Sequence, residues 1–285
     1  MTAPQNPITR AIWDGALPIK FSLDAGEADA AGANTIIEPY FIEAPRCSYF
    51  PLLTSQIRKY FTDLSLQFIG DDAEIWYDVD GTPLKWHYPI GLLFDLHTGY
   101  RPDSNSPPPL PWPVTVHFKN FPADKLIRAQ AIDATQDFFM SMIKEADFLR
   151  NGSTKKVMNL SKNDQFIEDS LLSRKMLQYL NQAILTYQCT GDYDRFWSIN
   201  YRLVMNDGQE PISPLSEDGK VLSLGAVLHR VLPDLFPSPT TNDSSTDAAP
   251  VIHGVISSLT VPIVEASQNL CYPDNFLHIV VLLGK

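Results

Sequence analysis

Residues 51–68 read PLLTSQIRKYFTDLSLQF. Leu53, Ile57, Tyr60, Phe61 and Leu64 recur at the spacing of one helical face. The leading Pro51 suits a first helical turn, where its missing N–H leaves nothing unpaired. A helix is predicted over 52–68. Upstream of it, 19–23 (IKFSL) alternates as a strand does, and 35–44 (TIIEPYFIEA) is a second β-rich run. Downstream, 75–79 and 84–88 flank Asp80-Gly81, a residue pair suited to a tight hairpin turn. A short element at 91–96 and a further strand at 114–118 (VTVHF) follow.

The resulting order is strand, strand, helix, strand, strand, short helix, strand, which is the order of a ubiquitin-like β-grasp, one sheet packed on one helix. From Asp124 to about Met205 the period is helical, with helices predicted at 132–150 and 164–187 and a polar break at 151–156. The text turns β-rich again at 250–255, 259–263 and 276–283, with a short helix at 224–232. Residues 24–34 and 237–250 are expected to be flexible loops, and the proline-dense 103–113 a stiff spacer. The fold class expected is α+β.

The 285 residues are 44% apolar and 19% charged, enough hydrophobic material for real cores. The net charge of −11 argues against a nucleic-acid binder that works by neutralising phosphates, and against a polybasic membrane-surface protein. Cys47, Cys189 and Cys271 are too few and too far apart for a disulfide framework or a structural zinc site. No apolar run follows a charged start, so no secretory leader is expected. The longest apolar run, 276–283, is far short of the ~20 residues that span a bilayer. The expectation is an acidic cytoplasmic protein.

No phosphate-binding glycine loop, nucleophile elbow or metalloprotease motif is present. The six histidines form no i, i+4 pair. Cys47 follows Arg46 and could be a cation-stabilised thiolate; a structural thiol is the preferred reading, since no orienting partner is visible. No catalytic residue, cofactor or metal is therefore expected. On the 132–150 helix, drawn at about 100° per residue, Ile132, Phe138, Phe139, Met142, Ile143, Ala146 and Leu149 make one apolar face. Lys144 projects roughly opposite its middle and should point to solvent. Asp137, Ser141 and Phe148 lie on that outer side and Met140 one turn earlier; a phenylalanine at i+4 from an outward lysine is unusual.

Longer strings carry more. Residues 81–96 read GTPLKWHYPIGLLFDL, 110–121 LPWPVTVHFKNF, 139–146 FMSMIKEA, 195–200 RFWSIN, 252–254 IHG and 272–279 YPDNFLHI. In this order they closely resemble the autophagy protein 5 family, across most of the chain. The resemblance implies two ubiquitin-like domains flanking a helix-rich region. With the elements above, this places an N-terminal short helix and first ubiquitin-like domain at 1–122, the helix-rich region at 123–205 and a second ubiquitin-like domain at 206–285.

It also implies a non-enzyme, the acceptor in a ubiquitin-like conjugation. The C-terminal glycine of the modifier, autophagy protein 12, is joined by isopeptide bond to the lysine of the MSMIKEAD string, here Lys144. Conjugating enzymes act transiently, and the conjugate binds autophagy protein 16 non-covalently. The assembly promotes ligase-like transfer of autophagy protein 8 to phosphatidylethanolamine during autophagosome formation, peripherally on the phagophore membrane. Met140 and Phe148 are expected to form part of the surface that meets the tethered modifier. One departure stands out: 206–220, NDGQEPISPLSEDGK, is short and polar where the family continues into two strands. The second β-grasp is therefore expected to lack its first hairpin. Two other classes remain: an unmodified ubiquitin-like adaptor with impaired assembly, and, remotely, a thiol enzyme using Cys47.

Overall fold

The computed structural model describes residues 7–30, 37–64, 73–100, 106–128, 132–158, 201–203, 215–216, 218–240 and 248–283. The chain divides into two compact units. One comprises Gly15–Thr98 and Ser106–Asp137, and the other Met1–Asp14, Gly99–Asn105 and Phe138–Lys285. Helix α1 (Pro7–Asp14), with Arg10 and Asp14 paired at 3.5 Å, belongs to the latter.

The Gly15–Asp137 unit is built on β1 (Ala16–Leu23), α2 (Ala25–Ala30), β2 (Tyr40–Pro45), α3 (Pro51–Asp63), β3 (Trp76–Val79), β4 (Thr82–Pro83), α4 (Ile90–Thr98) and β5 (Trp112–His117). Its sheet has the order β2-β1-β5-β3-β4. The central pair is parallel, with Phe21 opposite Val114; β2 and β3 flank it antiparallel, with Ile19 opposite Ile42 and Tyr77 opposite Val116. Strand alternation turns Leu17, Ile19, Phe21 and Leu23 to one face, where Leu53, Ile57 and Phe61 of α3 are also buried. Trp112, Phe21, Phe50 and Phe61 are fully enclosed, and each such side chain contributes roughly 1.5–3 kcal/mol through burial. The β-grasp order expected for this part of the chain is thus present.

Two expectations change here. Residues 25–30, expected in a flexible loop, form α2, which is capped locally, Asp24 Oδ1 accepting the Glu27 N–H at 3.0 Å, and held by partners remote in sequence. The buried Glu27 carboxylate in turn accepts the N–H groups of Phe118 (3.1 and 3.0 Å) and Lys119 (3.0 Å) just past β5. The hairpin turns where expected, with Asp80 at φ 50° and Gly81 at φ 76°, but its second strand is β4 alone. After Leu84 N–H bonds Tyr77 O at 2.8 Å, Tyr88 N–H turns back to Lys85 O. Leu84, Trp86 and Tyr88 are buried from a turn, with Trp86 Nε1–H donating to Ile127 O at 2.7 Å.

The other unit takes α5 (Ile132–Asn151) from Phe138 onward, α6 (Lys155–Met158), β6 (Tyr201–Leu203), α7 (Leu224–Val231), β7 (Ala249–Ile252), β8 (Val255–Ile256), α8 (Ile263–Asn269) and β9 (Leu277–Leu282). Its sheet has the order β6-β9-β7-β8. Leu224, Val227, Leu228, Ile263, Leu277, Ile279 and Val281 form the core between the helices and this sheet. Ser223 Oγ caps α7 by accepting the Ala226 N–H at 3.1 Å. Residues 259–263, expected as a strand, are instead a turn and a helix start. Leu259 O and Val261 O accept the N–H groups of Gly225 and Leu224 at the head of α7, and Pro262 precedes α8, where its fixed φ favours initiation.

Of the hairpin expected to be missing, the first strand is present: β6 lies parallel to β9, Arg202 opposite His278, as β1 lies parallel to β5. Residues 201–203, placed in the helix-rich region on periodicity, are therefore strand. Three residues carry no readable period, and their partner is remote in sequence. Further along the chain, Leu215 bridges to Val221. The helix expected at 164–187 and residues 204–214 lie outside the described residues.

Candidate functional site

Helix α5 is amphipathic as the wheel requires. Phe139, Met142, Ile143 and Ala146 are buried, and Met142 and Ala146 pack with Phe276, flanked by Phe138 and Leu149. The outer side carries exposed Ser141 and Phe148, the latter 57% exposed, with Met140 and Lys144 half-buried. A half-buried lysine lays its aliphatic stem along the helix and keeps its charged end in water. The Lys144 side chain forms no hydrogen bond or ion pair among the described residues, whereas its neighbours Ser141, Glu145 and Asp147 are all engaged.

The end of the helix is fixed. Gly152 adopts φ +66°, the left-handed conformation that favours glycine, and its N–H returns to Phe148 O at 2.7 Å. The chain then enters α6, whose Val157 is buried, and Val157 N–H donates to Asp147 Oδ2 at 3.3 Å. Asp147 is fully buried, so it supplies an acceptor to an N–H that a short helix leaves unpaired in its first turn. Nothing in the sequence marked Asp147; an acid at the edge of the apolar face reads as a solvated residue until its partner ten positions on is known.

Cys47 is buried at 2% exposure, and its neighbour Arg46 serves elsewhere. The Arg46 Nη2 group stands 2.6 Å from both carboxylate oxygens of Asp95 and 3.2 Å from Gly91 O. The cation that would stabilise a Cys47 thiolate is thus committed to a carboxylate. Among the histidines, His117 stacks on Trp76 with centroids 3.9 Å apart and its Nε2 lies 2.6 Å from Asp78 Oδ2. Asp24, Glu27 and His117 bring one ligand-type atom each within 4.8 Å of one another. The Glu27 oxygens already receive two backbone N–H groups, so this cluster ties α2 to the end of β5. His278, fully buried, holds Asp274 Oδ2 at 2.6 Å, and Asp274 Oδ1 accepts the Phe276 N–H.

Three family models match in sequence order: "Autophagy protein ATG5, UblA domain" over residues 12–118, its alpha-helical bundle region over 132–206, and its UblB domain over 202–281. Autophagy protein 5 of Penicillium rubens is 34% identical, the alignment covering 96% of each chain. That of Aspergillus fumigatus is 32% identical over 96% of this chain and 94% of its own. That of Drosophila melanogaster is 31% identical over 98% of both. The crystal structure of Kluyveromyces marxianus Atg5 superposes with a TM-score of 0.72 at 19% identity, covering 96% of this chain and 98% of that one, a likeness of fold.

Proposed function

The chain belongs to the autophagy protein 5 family and so has a role in autophagy; from that premise we propose that Lys144 is the acceptor for the ubiquitin-like modifier autophagy protein 12. The observation that carries this is the setting of Lys144: mid-helix on α5, on the side away from Phe139, Met142 and Ala146, with no ion pair among the described residues. A helix seated on Phe276 and closed at Gly152 presents the amine in a reproducible direction, which favours oriented attack.

The chemistry divides between this chain and its enzymes. A lysine must lose a proton before its nitrogen can attack, and deprotonation falls to the conjugating enzyme. The neutral Nζ attacks the thioester carbonyl of the modifier's C-terminal glycine. The C–N bond forms, the C–S bond breaks, and the departing thiolate takes up the amine's proton. The chain supplies nucleophile and position, and acts as a non-catalytic subunit. Once bonded, the modifier sits at high effective concentration over α5, where Met140 and Phe148 form part of its resting surface.

The conjugate then assembles with autophagy protein 16 and promotes ligase-like transfer of autophagy protein 8 to phosphatidylethanolamine. With a net charge of −11 and no described helix long and apolar enough to cross a membrane, attachment to the phagophore is peripheral and partner-dependent. The domain boundaries proposed are 1–122, 123–200 and 201–285, the last starting at 201 rather than 206 so that β6 stays with its sheet. Reconstitution with modifier, activating enzyme and conjugating enzyme tests the acceptor. One shifted band is expected, with a glycine–lysine branch at Lys144, and Lys144→Arg removes it. A band that survives Lys144→Arg, or its absence from the unmodified sequence, overturns the proposal.

A further inference from the structure

Across one helical turn, Lys144 faces Met140 and Phe148 at i±4 and Ser141 and Asp147 at i±3. Only Asp147 is an acid, and it is turned inward: fully buried, with Oδ2 accepting the Val157 N–H at 3.3 Å. Glu145 is adjacent in sequence but about 100° around the helix, and it too is engaged with another group. The chain is strongly acidic, yet Lys144 has no counter-ion among the described residues.

We infer that Asp147 is a positioning residue for the acceptor amine: by bonding Val157 it withdraws the one carboxylate within a helical turn of Lys144, so that the amine is presented without an ion pair among the described residues. This rests on Lys144 being the acceptor. The consequence is kinetic. An ammonium paired with a carboxylate gives up its proton less readily and must leave its partner before it can attack, while an unpaired one need only be deprotonated by the enzyme that carries the thioester. The same bond closes the α6 turn, so the group that frees the amine also fixes the end of its helix.

The test uses the full chain with the modifier and its enzymes, and follows conjugation rate against pH and salt. Ser141→Glu places an acid one turn before Lys144 in the favourable orientation, and Ser141→Gln is its neutral control. Relative to Ser141→Gln, Ser141→Glu is expected to conjugate about two-fold more slowly at low salt. Its pH–rate profile should move to higher pH, and the gap should close as salt screens the pair. Asp147→Asn, which keeps an oxygen for Val157, should leave the profile where it was. Equal behaviour of the two Ser141 variants at every salt concentration would overturn the inference. So would an Asp147→Asn chain that conjugates faster with its profile moved to lower pH, since Asp147 would then be the partner of Lys144. If Asp147→Asn fails to fold, the Ser141 pair decides. Absence of any Lys144 conjugate on the unmutated chain overturns the acceptor assignment instead, so the two failures are distinct.

Discussion

Arg46 Nη2 meets both carboxylate oxygens of Asp95 at 2.6 Å, with both side chains nearly enclosed. The pair joins the segment after β2 to the middle of α4, and Arg46 also lies over the Phe94 ring at 5.7 Å. Because burying charge is expensive, such a pair is costly to break from one side only. Asp95→Ala is expected to destabilise the Gly15–Asp137 unit by about 3–5 kcal/mol. The double replacement Arg46→Met, Asp95→Leu should cost less than that single change. Urea unfolding of the three chains measures the difference.

Tyr77 lies in the aromatic cluster with Phe50, ring centroids 4.9 Å apart, and its hydroxyl is 2.9 Å from Thr54 Oγ1. Burial pushes its phenol far above the ordinary value of about 10, outweighing the lowering by the Thr54 hydrogen bond and the Arg58 charge. Below about pH 10 the native and unfolded chains both keep this proton, so the contribution is constant. Above it the unfolded chain loses the proton and the native chain does not, so stability falls by about 1.4 kcal/mol per pH unit. Unfolding midpoints between pH 9 and 12 should therefore drop faster for the natural sequence than for Tyr77→Phe. Parallel curves would count against it.

Gly225 sits in α7 where a Cβ would run into the Pro239 carbonyl oxygen and lie 2.8 Å from Leu259 Cβ. Gly225→Ala is expected to cost about 1–3 kcal/mol through overpacking. Increased amide exchange at Gly225, whose N–H bonds Leu259 O at 2.8 Å, would report the displacement directly.

Phe148 is 57% exposed, so Phe148→Ser should change the stability of the unconjugated chain by no more than about 0.5 kcal/mol. In the conjugate it should loosen the packed modifier. Hydrogen exchange on the modifier's contacting face is expected to rise while the yield of the Lys144 bond is kept. Identical protection in both conjugates would exclude Phe148 from that surface.

The parts of this molecule legible in sequence are those whose partners are near or whose period is long. Helix α3 follows from Leu53, Ile57 and Phe61, strands β1 and β5 from alternation, and the buried side of α5 from Phe139, Met142 and Ala146. What stayed hidden depends on remote polar partners. Residues 25–30 look like a small acidic loop because the N–H groups that Glu27 serves lie past β5. Asp147 looks solvated because Val157 is beyond the helix end. The strand β6 is too short to show a period, and 84–88 has a strand's alternation without its ladder. On α5, the place of Lys144 opposite the buried Phe139, Met142 and Ala146 was readable from the wheel; the burial of Asp147 was not.

In the second sheet, β9 lies between β6 and β7, yet it is the last of the four strands in the chain, and all six of its residues are buried. A nascent chain therefore extrudes β6, β7 and β8 before the ribbon that must join them exists. Closing Tyr201 onto Leu277 spans a long contour, and such non-local pairing slows assembly. Until it happens, Ala249–Ile252 have only the two-residue β8 to pair with. Until then the unit exposes apolar surface of the kind a chaperone shelters during synthesis.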